Sequence, residues 1–456
     1  MSRGYFGTDG IRGRVGEAPL TPPHLLSIAL AAGRHLVPAP KPGDRVVIGM
    51  DTRASGPAIA DVLAAGLAVL GLDVVPLGVL PTPALAFGTR AHGAKFGIMV
   101  TASHNPAGDN GIKLFGADGF KLAPEDEAAI ERLIDAGPGA ALTDAGRPAG
   151  GMGSVAPDPS LDVRAVYADT VLASLPEGVS LAGLKLVFDG ANGAGFDIGP
   201  FVLRQLGAEV EVIGTQPNGQ NVNDQVGSTH PGALARKVRA VGAYAGIALD
   251  GDGDRLIMVD EAGTAIDGDQ LIGLLARMMQ QDGTLAGDTV VTTVMSNLGL
   301  ERHLQGNAIA MPRTAVGDRH VVDAMRAGGF SLGGEQSGHI VMLRHGTTGD
   351  GLLAALHVLV AALRAGRAFS EVASVFEPAP QKLVNVRYAG PDPLEQTAVK
   401  AAIEAARAGL GDDGRLVVRK SGTEPKIRIM AEALDPAAME TAIDRVVSAV
   451  EAATEA

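Results

Sequence analysis

The chain has no cysteine and no tryptophan among its 456 residues. Without cysteine, it cannot form disulfides, use a catalytic thiolate, or build zinc–cysteine and iron–sulfur sites. The 11 Phe and 4 Tyr are too few for a platform on which nucleic-acid bases stack. Basic residues are outnumbered by acidic ones, 38 against 51. This balance argues against the basic surface that nucleic-acid binding needs.

Long apolar segments are also lacking. The longest apolar run, Leu352–Leu363, is about a dozen residues, contains His357, and is too short to span a bilayer. Residues 1–14 carry several charges and no apolar core, unlike a signal peptide. We therefore expect a cytoplasmic protein that binds neither nucleic acid nor membrane. The sequence leaves open whether the chain forms a homodimer.

The length and the order of elements predict several domains. A chain of this length has a prior of about three domains, with two or four allowed. Apolar strand-like runs alternate with helical patterns in three successive blocks, which predicts three similar α/β domains and a structural repeat. The last block reads as a smaller α+β domain. Clusters of turn-forming residues place the domains at 1–153, 154–255, 256–368 and 369–456.

The first candidate site is the segment Thr101–Pro106, which directly follows the apolar strand Phe96–Val100. Ligands in α/β sheets bind beyond the carboxyl ends of strands. Ser103 lies beside His104 and ten residues before Lys113. Two interpretations remain open: a serine that carries a covalent group, and a plain Asn-Pro turn. A Ser-His hydrolase is disfavoured because Gly-x-Ser-x-Gly is absent.

The second candidate is an acidic loop in which Asp250, Asp252 and Asp254 alternate with glycine. All-oxygen ligands of this kind suit Mg²⁺, Mn²⁺ or Ca²⁺. An EF-hand would use Glu261 as its twelfth residue, but Arg255 stands where that loop requires glycine. A solvated acidic turn is the alternative. Mutual repulsion of three close carboxylates favours a bound cation instead.

Three further segments carry polar groups in glycine-containing loops. Arg419–Lys426 offers cationic and hydroxyl groups for a phosphate cradle, or it is an ordinary basic hairpin. Gly333–His339 has the glycine spacing of a P-loop, but His339 replaces the required lysine, which excludes a nucleoside triphosphatase. Its carboxylate, hydroxyl and imidazole suit polyol recognition. Gly7–Gly13 places Arg12 where it could approach an anion, or forms a simple turn.

Taken together, these segments resemble the α-D-phosphohexomutase superfamily. Four signatures occur in the order that this superfamily shows. They are spread over nearly the whole chain, so the resemblance covers all four predicted domains. The signatures are Thr101–Pro106 as the phosphoserine loop, Asp250–Arg255 as the metal loop, Gly334–His339 as the sugar loop and Arg419–Pro425 as the phosphate loop. The resemblance implies mixed sheets and four domains around a central cleft.

Details within these loops resemble the branch of the superfamily that acts on glucosamine phosphates. Gln336 stands where enzymes for mannose and glucose phosphates usually carry Met, and Gly422 where they usually carry Asn. Phe6–Gly13 and Arg313–His320 resemble the same branch. The resemblance therefore implies an isomerase, an intramolecular phosphotransferase. It would interconvert glucosamine 6-phosphate and glucosamine 1-phosphate. This reaction would supply the precursor of UDP-N-acetylglucosamine and hence of peptidoglycan.

The resemblance also implies roles for individual residues. Ser103 would carry the phosphoryl group and, with Asp250, Asp252 and Asp254, hold Mg²⁺. The other catalytic residues would be Arg12, His104, Lys113 and Arg255. The substrate would be bound by Glu335, Ser337, His339, Arg419, Ser421, Gly422 and Thr423. A sugar 1,6-bisphosphate would serve as intermediate and activator, and the base stays open among Lys113, His104 and His339.

Rival functions remain at this point. The nearest is a phosphohexomutase for mannose or glucose phosphates. A metal-dependent phosphatase would use an acidic loop and a phosphate cradle but needs no carrier serine. A binding protein without catalysis explains neither the three Asp residues nor Ser103. In the first two cases, as in the main interpretation, the partner is a small phosphorylated molecule.

Overall fold

The computed structural model describes residues 4–7, 9–138, 151–421 and 425–455. Its strands, numbered β1 to β18 in chain order, are Phe6–Gly7, Gly10–Arg14, Arg45–Met50, Asp73–Val79, Phe96–Val100, Asp109–Gly116, Lys185–Asp189, Glu209–Ile213, Ala245–Leu249, Leu256–Asp260, Ala265–Ile266, Val290–Thr293, Arg313–Thr314, Leu332–Gly334, Ile340–Met342, Gln381–Arg387, Gly414–Lys420 and Lys426–Ala433. Its helices are Pro22–Leu36, Gly56–Val69, Thr82–Ala91, Pro124–Asp135, Val163–Ala173, Ile198–Gln205, Gly232–Val241, Gly268–Gln281, Leu298–Gly306, Asp318–Gly328, Gly351–Ala365, Phe369–Ala373, Thr397–Leu410 and Pro436–Glu455. No helix in these ranges is both long and apolar enough to cross a membrane.

The first three sheets share one strand order. Four strands are arranged β4-β3-β5-β6 in the first sheet, β8-β7-β9-β10 in the second and β13-β12-β14-β15 in the third. In each set the first three strands are parallel and the fourth is antiparallel. This common topology confirms the expected α/β class with mixed sheets and shows the structural repeat.

The repeat places three of the candidate loops at equivalent points. The serine loop joins β5 to β6, the acidic loop joins β9 to β10, and the sugar loop joins β14 to β15. The strands that lead into these loops are apolar and fully buried. Each loop therefore starts at the carboxyl end of a central strand, where α/β sheets bind their ligands.

The C-terminal part forms its own small layer. Its antiparallel sheet has the order β16-β18-β17. Two helices, Thr397–Leu410 and Pro436–Glu455, contact this sheet, and they share a separate apolar core that includes Val399 and Val446. This arrangement matches the expected smaller α+β domain. The hairpin between β17 and β18 carries the candidate phosphate loop.

The strand pairing bears on where the second domain ends. β10 pairs with β9, and β11 pairs with β10, so the second sheet runs on to Ile266. The predicted division at residue 255 would cut through this sheet. One apolar core also extends from the first sheet to the third. The four-domain division stays a prediction, and we propose that its second boundary lies after Ile266.

Candidate active site

Ser103 lies buried in the turn that follows β5. Its hydroxyl donates a 2.6 Å hydrogen bond to Oδ2 of Asp250. Its backbone N–H donates to Oγ1 of Thr101 at 2.9 Å. The φ angle of Ser103 is +50°, in the left-handed region. A side chain other than glycine is strained there by about 1–3 kcal/mol, so surrounding contacts must hold the turn.

The three carboxylates of the acidic loop converge. Asp250, Asp252 and Asp254 are buried, and one oxygen of each lies within 4.8 Å of the others. Oδ1 of Asp252 and Oδ1 of Asp254 have no hydrogen-bond partner among the described residues. Burial, followed by repulsion from the other two carboxylates, raises the pKa of Asp250 well above its usual value. Buried oxygens without partners are costly unless a cation meets them, so this oxygen set fits Mg²⁺.

Lys113, on β6, reaches the same carboxylates. Its ammonium lies 2.8 Å from Asp252, 2.9 Å from Asp254 and 3.1 Å from Asp9. Burial opposes the charged form, but these carboxylates outweigh it and raise the pKa of Lys113 well above its usual value. Lys113 is therefore a fixed positive charge in this arrangement, with no free lone pair.

A closed ring of opposite charges joins this lysine to the third sheet. The Lys121 ammonium contacts both Asp9 and Asp318. His339 lies between Asp318, at 3.4 Å, and Asp254, at 3.7 Å. Burial alone would lower the pKa of His339, but the two carboxylates raise it. In order, the ring is Asp9, Lys113, Asp254, His339, Asp318 and Lys121.

Two arginines lie beside the serine and acidic loops. The Arg12 guanidinium contacts the Asp9 carboxylate and donates to Oδ1 of Asn105 at 3.4 Å. Arg255 directly follows the acidic loop, and its backbone N–H donates to Asp250 at 3.2 Å. The buried Nε atoms of both arginines have no hydrogen-bond partner in the described ranges. Each guanidinium group therefore has one buried N–H that no described residue accepts.

His104 follows the serine in the chain and also lies close to its hydroxyl. Its Nδ1 lies 3.4 Å from Oγ of Ser103, a long contact for a hydrogen bond. Burial, and then the charges of Arg255 and Arg12, lower the pKa of His104 to about 4. The imidazole is therefore neutral near pH 7 and can accept a proton.

The sugar loop differs in exposure along its length. Glu335 is half-buried and accepts a 3.2 Å hydrogen bond from the N–H of Gly317. Ser337 is exposed, while His339 is only 3 % exposed. Nε2 of His339 lies 3.1 Å from the backbone N of Gly349. Glu335 and Ser337 are thus open to a ligand, whereas His339 belongs to the buried ring.

The described hydrogen bonds of Arg419 and Ser421 lie inside the hairpin of the phosphate loop, whereas Lys420 forms an ion pair with Asp392 outside it. Arg419 donates to the carbonyl of Lys420 at 3.4 Å, and the N–H of Ser421 donates to Lys426 at 2.8 Å. Oγ of Ser421 is buried and has no partner among the described residues. The other two predicted residues of this loop, Gly422 and Thr423, lie outside the described residues. In the described ranges, no hydrogen bond or ion pair links Arg419 or Ser421 to the other three loops.

Sequence analysis missed several residues that build this site. Asp51 and Arg53 lie beneath the serine loop, and Asn223 reaches it from the second sheet's domain. Lys121 and Asp318 complete the charged ring. A signal existed for the first pair, because Asp51 directly follows the apolar strand β3, as Thr101 follows β5.

Family models match most of the chain. The phosphoglucomutase/phosphomannomutase α/β/α domains I, II and III match residues 3–139, 165–263 and 267–379. The C-terminal domain of the same family matches residues 383–449. The serine, acidic, sugar and phosphate loops fall one to each matched region, and Gly7–Gly13 lies in the first region with the serine loop.

Known proteins resemble the chain over its full length. It is 50% identical to a phosphoglucosamine mutase of Sphingopyxis alaskensis over 455 residues, covering 99% of this chain and 100% of the relative. It is also 50% identical to a phosphoglucosamine mutase of Paracoccus denitrificans, covering 99% and 100%. A solved phosphoglucomutase/phosphomannomutase family protein of Burkholderia thailandensis aligns with TM-score 0.80 and 26% identity, covering 98% of this chain and 97% of that one. The chain belongs to the α-D-phosphohexomutase superfamily, as predicted, and within it to the phosphoglucosamine mutase family.

Proposed function

We propose that this protein interconverts glucosamine 6-phosphate and glucosamine 1-phosphate, with Ser103 as phosphoryl carrier and glucosamine 1,6-bisphosphate as intermediate and activator. The observation that carries the proposal is the 2.6 Å hydrogen bond from Ser103 to Asp250 within a buried acidic triad. The names of the 50% identical relatives support the choice of sugar. In this role the protein acts in the cytoplasm, and its product glucosamine 1-phosphate is the precursor of UDP-N-acetylglucosamine.

The acidic loop is the proposed Mg²⁺ site. Asp250, Asp252 and Asp254, together with an oxygen on Ser103, would hold the ion. Bound Mg²⁺ supplies positive charge that stabilises the transferring phosphoryl group. The unpartnered oxygens of Asp252 and Asp254 support this assignment.

The chain's own residues would then move the phosphoryl group. The bond between phosphorus and Oγ of Ser103 breaks as phosphorus bonds to a sugar hydroxyl oxygen. Oγ keeps the electron pair and takes up a proton to end as a hydroxyl. The sugar hydroxyl loses its proton to a base that passes it on to Oγ, so no net proton is gained or lost. We assign that base to His104, which lies 3.4 Å from Oγ, because Lys113 is already bonded to three carboxylates. Lys113, Arg12 and Arg255 would neutralise the charge on the phosphoryl group.

The remaining loops would orient the sugar. Glu335 and Ser337 would bind sugar hydroxyls, with His339 fixed behind them by the buried ring. The phosphate that is not being transferred would be held by Arg419, Ser421, Gly422 and Thr423. The bisphosphate must turn end for end, so that its other phosphate returns to Ser103.

Phosphorus NMR of the purified enzyme with glucosamine 6-phosphate, Mg²⁺ and a trace of the bisphosphate tests this function. We expect the signal of glucosamine 1-phosphate to grow to a constant ratio while inorganic phosphate stays absent. Steady release of inorganic phosphate would instead identify a metal-dependent phosphatase. Turnover of mannose or glucose phosphates alone would identify the other branch of the superfamily.

A further inference from the structure

The guanidinium of Arg53 lies enclosed beneath the serine loop. Arg53 is 1% exposed and pairs with Asp51, with 2.9 Å between Nε and Oδ2. Its two terminal nitrogens donate to backbone carbonyls of the loop. These carbonyls belong to Ser103 at 3.1 Å, Asn105 at 2.7 Å, Pro106, and Asp109 at 2.8 Å. One side chain thus binds both the turn that holds Ser103 and the chain that leads away from it.

The backbone of Ser103 is bonded to side chains on both sides. Its N–H donates to Thr101, whose hydroxyl donates to Asp51 at 2.7 Å. Its carbonyl accepts from Arg53 and, at 2.9 Å, from Nδ2 of Asn223. Asn223 comes from the matched region that also carries the acidic loop. The orientation of Ser103 relative to Asp250 is therefore set by groups that do not touch its hydroxyl.

These contacts hold a strained residue in place. A non-glycine residue at φ +50° persists only where the surroundings determine its conformation. Hydrogen bonds from a charged donor are about twice as strong as neutral ones, and the planar guanidinium directs several at once. A lysine ammonium is a point charge with three donors and cannot span four carbonyls and a carboxylate.

We propose that Arg53 is a positioning residue for phosphoryl transfer. It fixes the serine loop so that Oγ of Ser103 stays against the acidic triad, whether or not it carries the phosphoryl group. The donor atom is then stationary, and all the repositioning between the two transfers falls to the sugar. This inference rests on the proposed function, in which Ser103 is the carrier.

The proposal predicts a loss of transfer rate rather than of sugar binding. A displacement of about 1 Å at a reacting atom can slow a reaction about a hundredfold. Among the described residues, Arg53 bonds to Asp51 and to backbone carbonyls at the serine loop, and to no residue of the sugar or phosphate loop. The sugar concentration that gives half the maximal rate should therefore stay close to that of the wild type.

The test is single-turnover phosphoryl transfer from enzyme that was phosphorylated with glucosamine 1,6-bisphosphate. The occupancy of Ser103 is measured by intact mass, and quenched reactions with glucosamine 6-phosphate give the rate per phosphorylated molecule. Arg53→Lys should lower this rate about a hundredfold, with less than about a threefold change in half-saturating sugar concentration. Thr101→Val keeps the side-chain shape and removes the hydroxyl that binds the Ser103 N–H. It should also slow transfer, by about tenfold or more.

Arg313→Lys is the matched control. Arg313 also donates to two backbone carbonyls, those of Thr293 and Ser296, and pairs with Glu301. The Arg313→Lys substitution should lower thermal stability but leave the transfer rate per phosphorylated molecule within about threefold of the wild type.

An Arg53→Lys enzyme that transfers within about threefold of the wild-type rate per phosphorylated molecule would overturn the proposal. If Arg53→Lys does not fold, the same result for Thr101→Val overturns it. A wild-type enzyme that turns over without any phosphoryl group on Ser103 would instead disprove the carrier assignment, and the positioning role would fall with it.

Discussion

The hydroxyl of Ser103 donates its 2.6 Å hydrogen bond to Asp250, which lies 147 residues further along the chain. The two residues sit in equivalent loops, because β5 and β9 are the third strands of two repeats with the same order. The repeat therefore explains why a serine and a carboxylate so distant in sequence meet. Each repeat presents one loop at the carboxyl edge of its sheet, and the site forms where these loops converge.

Removal of one carboxylate charge should weaken metal binding. Asp252→Asn keeps the size of the side chain and removes the charge of a carboxylate whose Oδ1 has no hydrogen-bond partner among the described residues. We expect Mg²⁺ or Mn²⁺ to bind about tenfold or more weakly, with a matching loss of turnover. Titration calorimetry with Mn²⁺ measures the binding.

Asp260→Asn is the control for that experiment. Asp260 is also a buried carboxylate and accepts the N–H of Thr264, a bond that the amide oxygen can keep. Metal affinity should be unchanged in this variant. Full turnover by EDTA-treated wild-type enzyme without added metal would show that the acidic loop is not a metal site.

The charged ring predicts a strong dependence on Lys121. Lys121→Met leaves Asp9 and Asp318 without their shared cation, which costs about 3–5 kcal/mol of stability when the pair is buried. The thermal midpoint should fall clearly. The double variant with Asp318→Asn should lose less than the sum of the two single losses, because the residues are coupled.

An exposed ion pair provides the comparison. Lys95 is 47% exposed at its side chain and pairs with Asp44 at 3.2 Å. Lys95→Met should change stability by less than about 1 kcal/mol. If Lys121→Met lowers the thermal midpoint no more than Lys95→Met does, the ring does not stabilise the protein.

The phosphate loop should act mainly on substrate binding. Arg419 is proposed to hold the phosphate that stays on the sugar, so Arg419→Ala should raise KM about tenfold or more, the value of one charged hydrogen bond. Steady-state kinetics with glucosamine 6-phosphate measures this change. Arg407→Ala, which removes an arginine from an exposed helix position, should leave KM unchanged. Equal effects of the two substitutions would contradict the assignment.

Much of this arrangement is readable from the sequence. The strand Phe96–Val100 and the loop after it carry a local signal, an apolar run that ends in polar residues. The acidic triad could be predicted from the alternating Asp and Gly residues. Its three carboxylates are close together in the sequence, so a cation site can be recognised without knowledge of distant contacts. The order of the four signatures then gives the family.

Contacts between distant residues were not readable in the same way. Lys121 and Asp318 meet across 197 residues, and each alone reads as an ordinary surface charge. His339 reads as an open sugar ligand in its glycine-rich loop, but the packing of Gly349 and Asp318 encloses it. Such partners depend on how the sheets pack against one another, which no local pattern records.

Sugar selectivity separates the main function from its nearest rival. The glucosamine assignment predicts kcat/KM for glucosamine 6-phosphate at least about a hundredfold above the values for glucose and mannose 6-phosphates, within the range that one polar group can supply. A coupled assay with the three sugars at equal concentration measures these ratios. Comparable efficiency on glucose or mannose phosphate would overturn the sugar assignment and leave the phosphoserine mechanism standing.

The central claim is that Ser103 carries the phosphoryl group. Intact-mass analysis and peptide mapping test it on wild type, on Ser103→Ala, and on Ser27→Ala as a buried-serine control. We predict that part of the wild-type protein is heavier by one phosphoryl group, located on Ser103 and lost when glucosamine 6-phosphate is added. Ser103→Ala should lack this group and lose turnover by on the order of a thousandfold or more, while Ser27→Ala keeps both. A Ser103→Ala enzyme within about tenfold of wild-type activity, or a phosphoryl group located on another residue, would contradict the account.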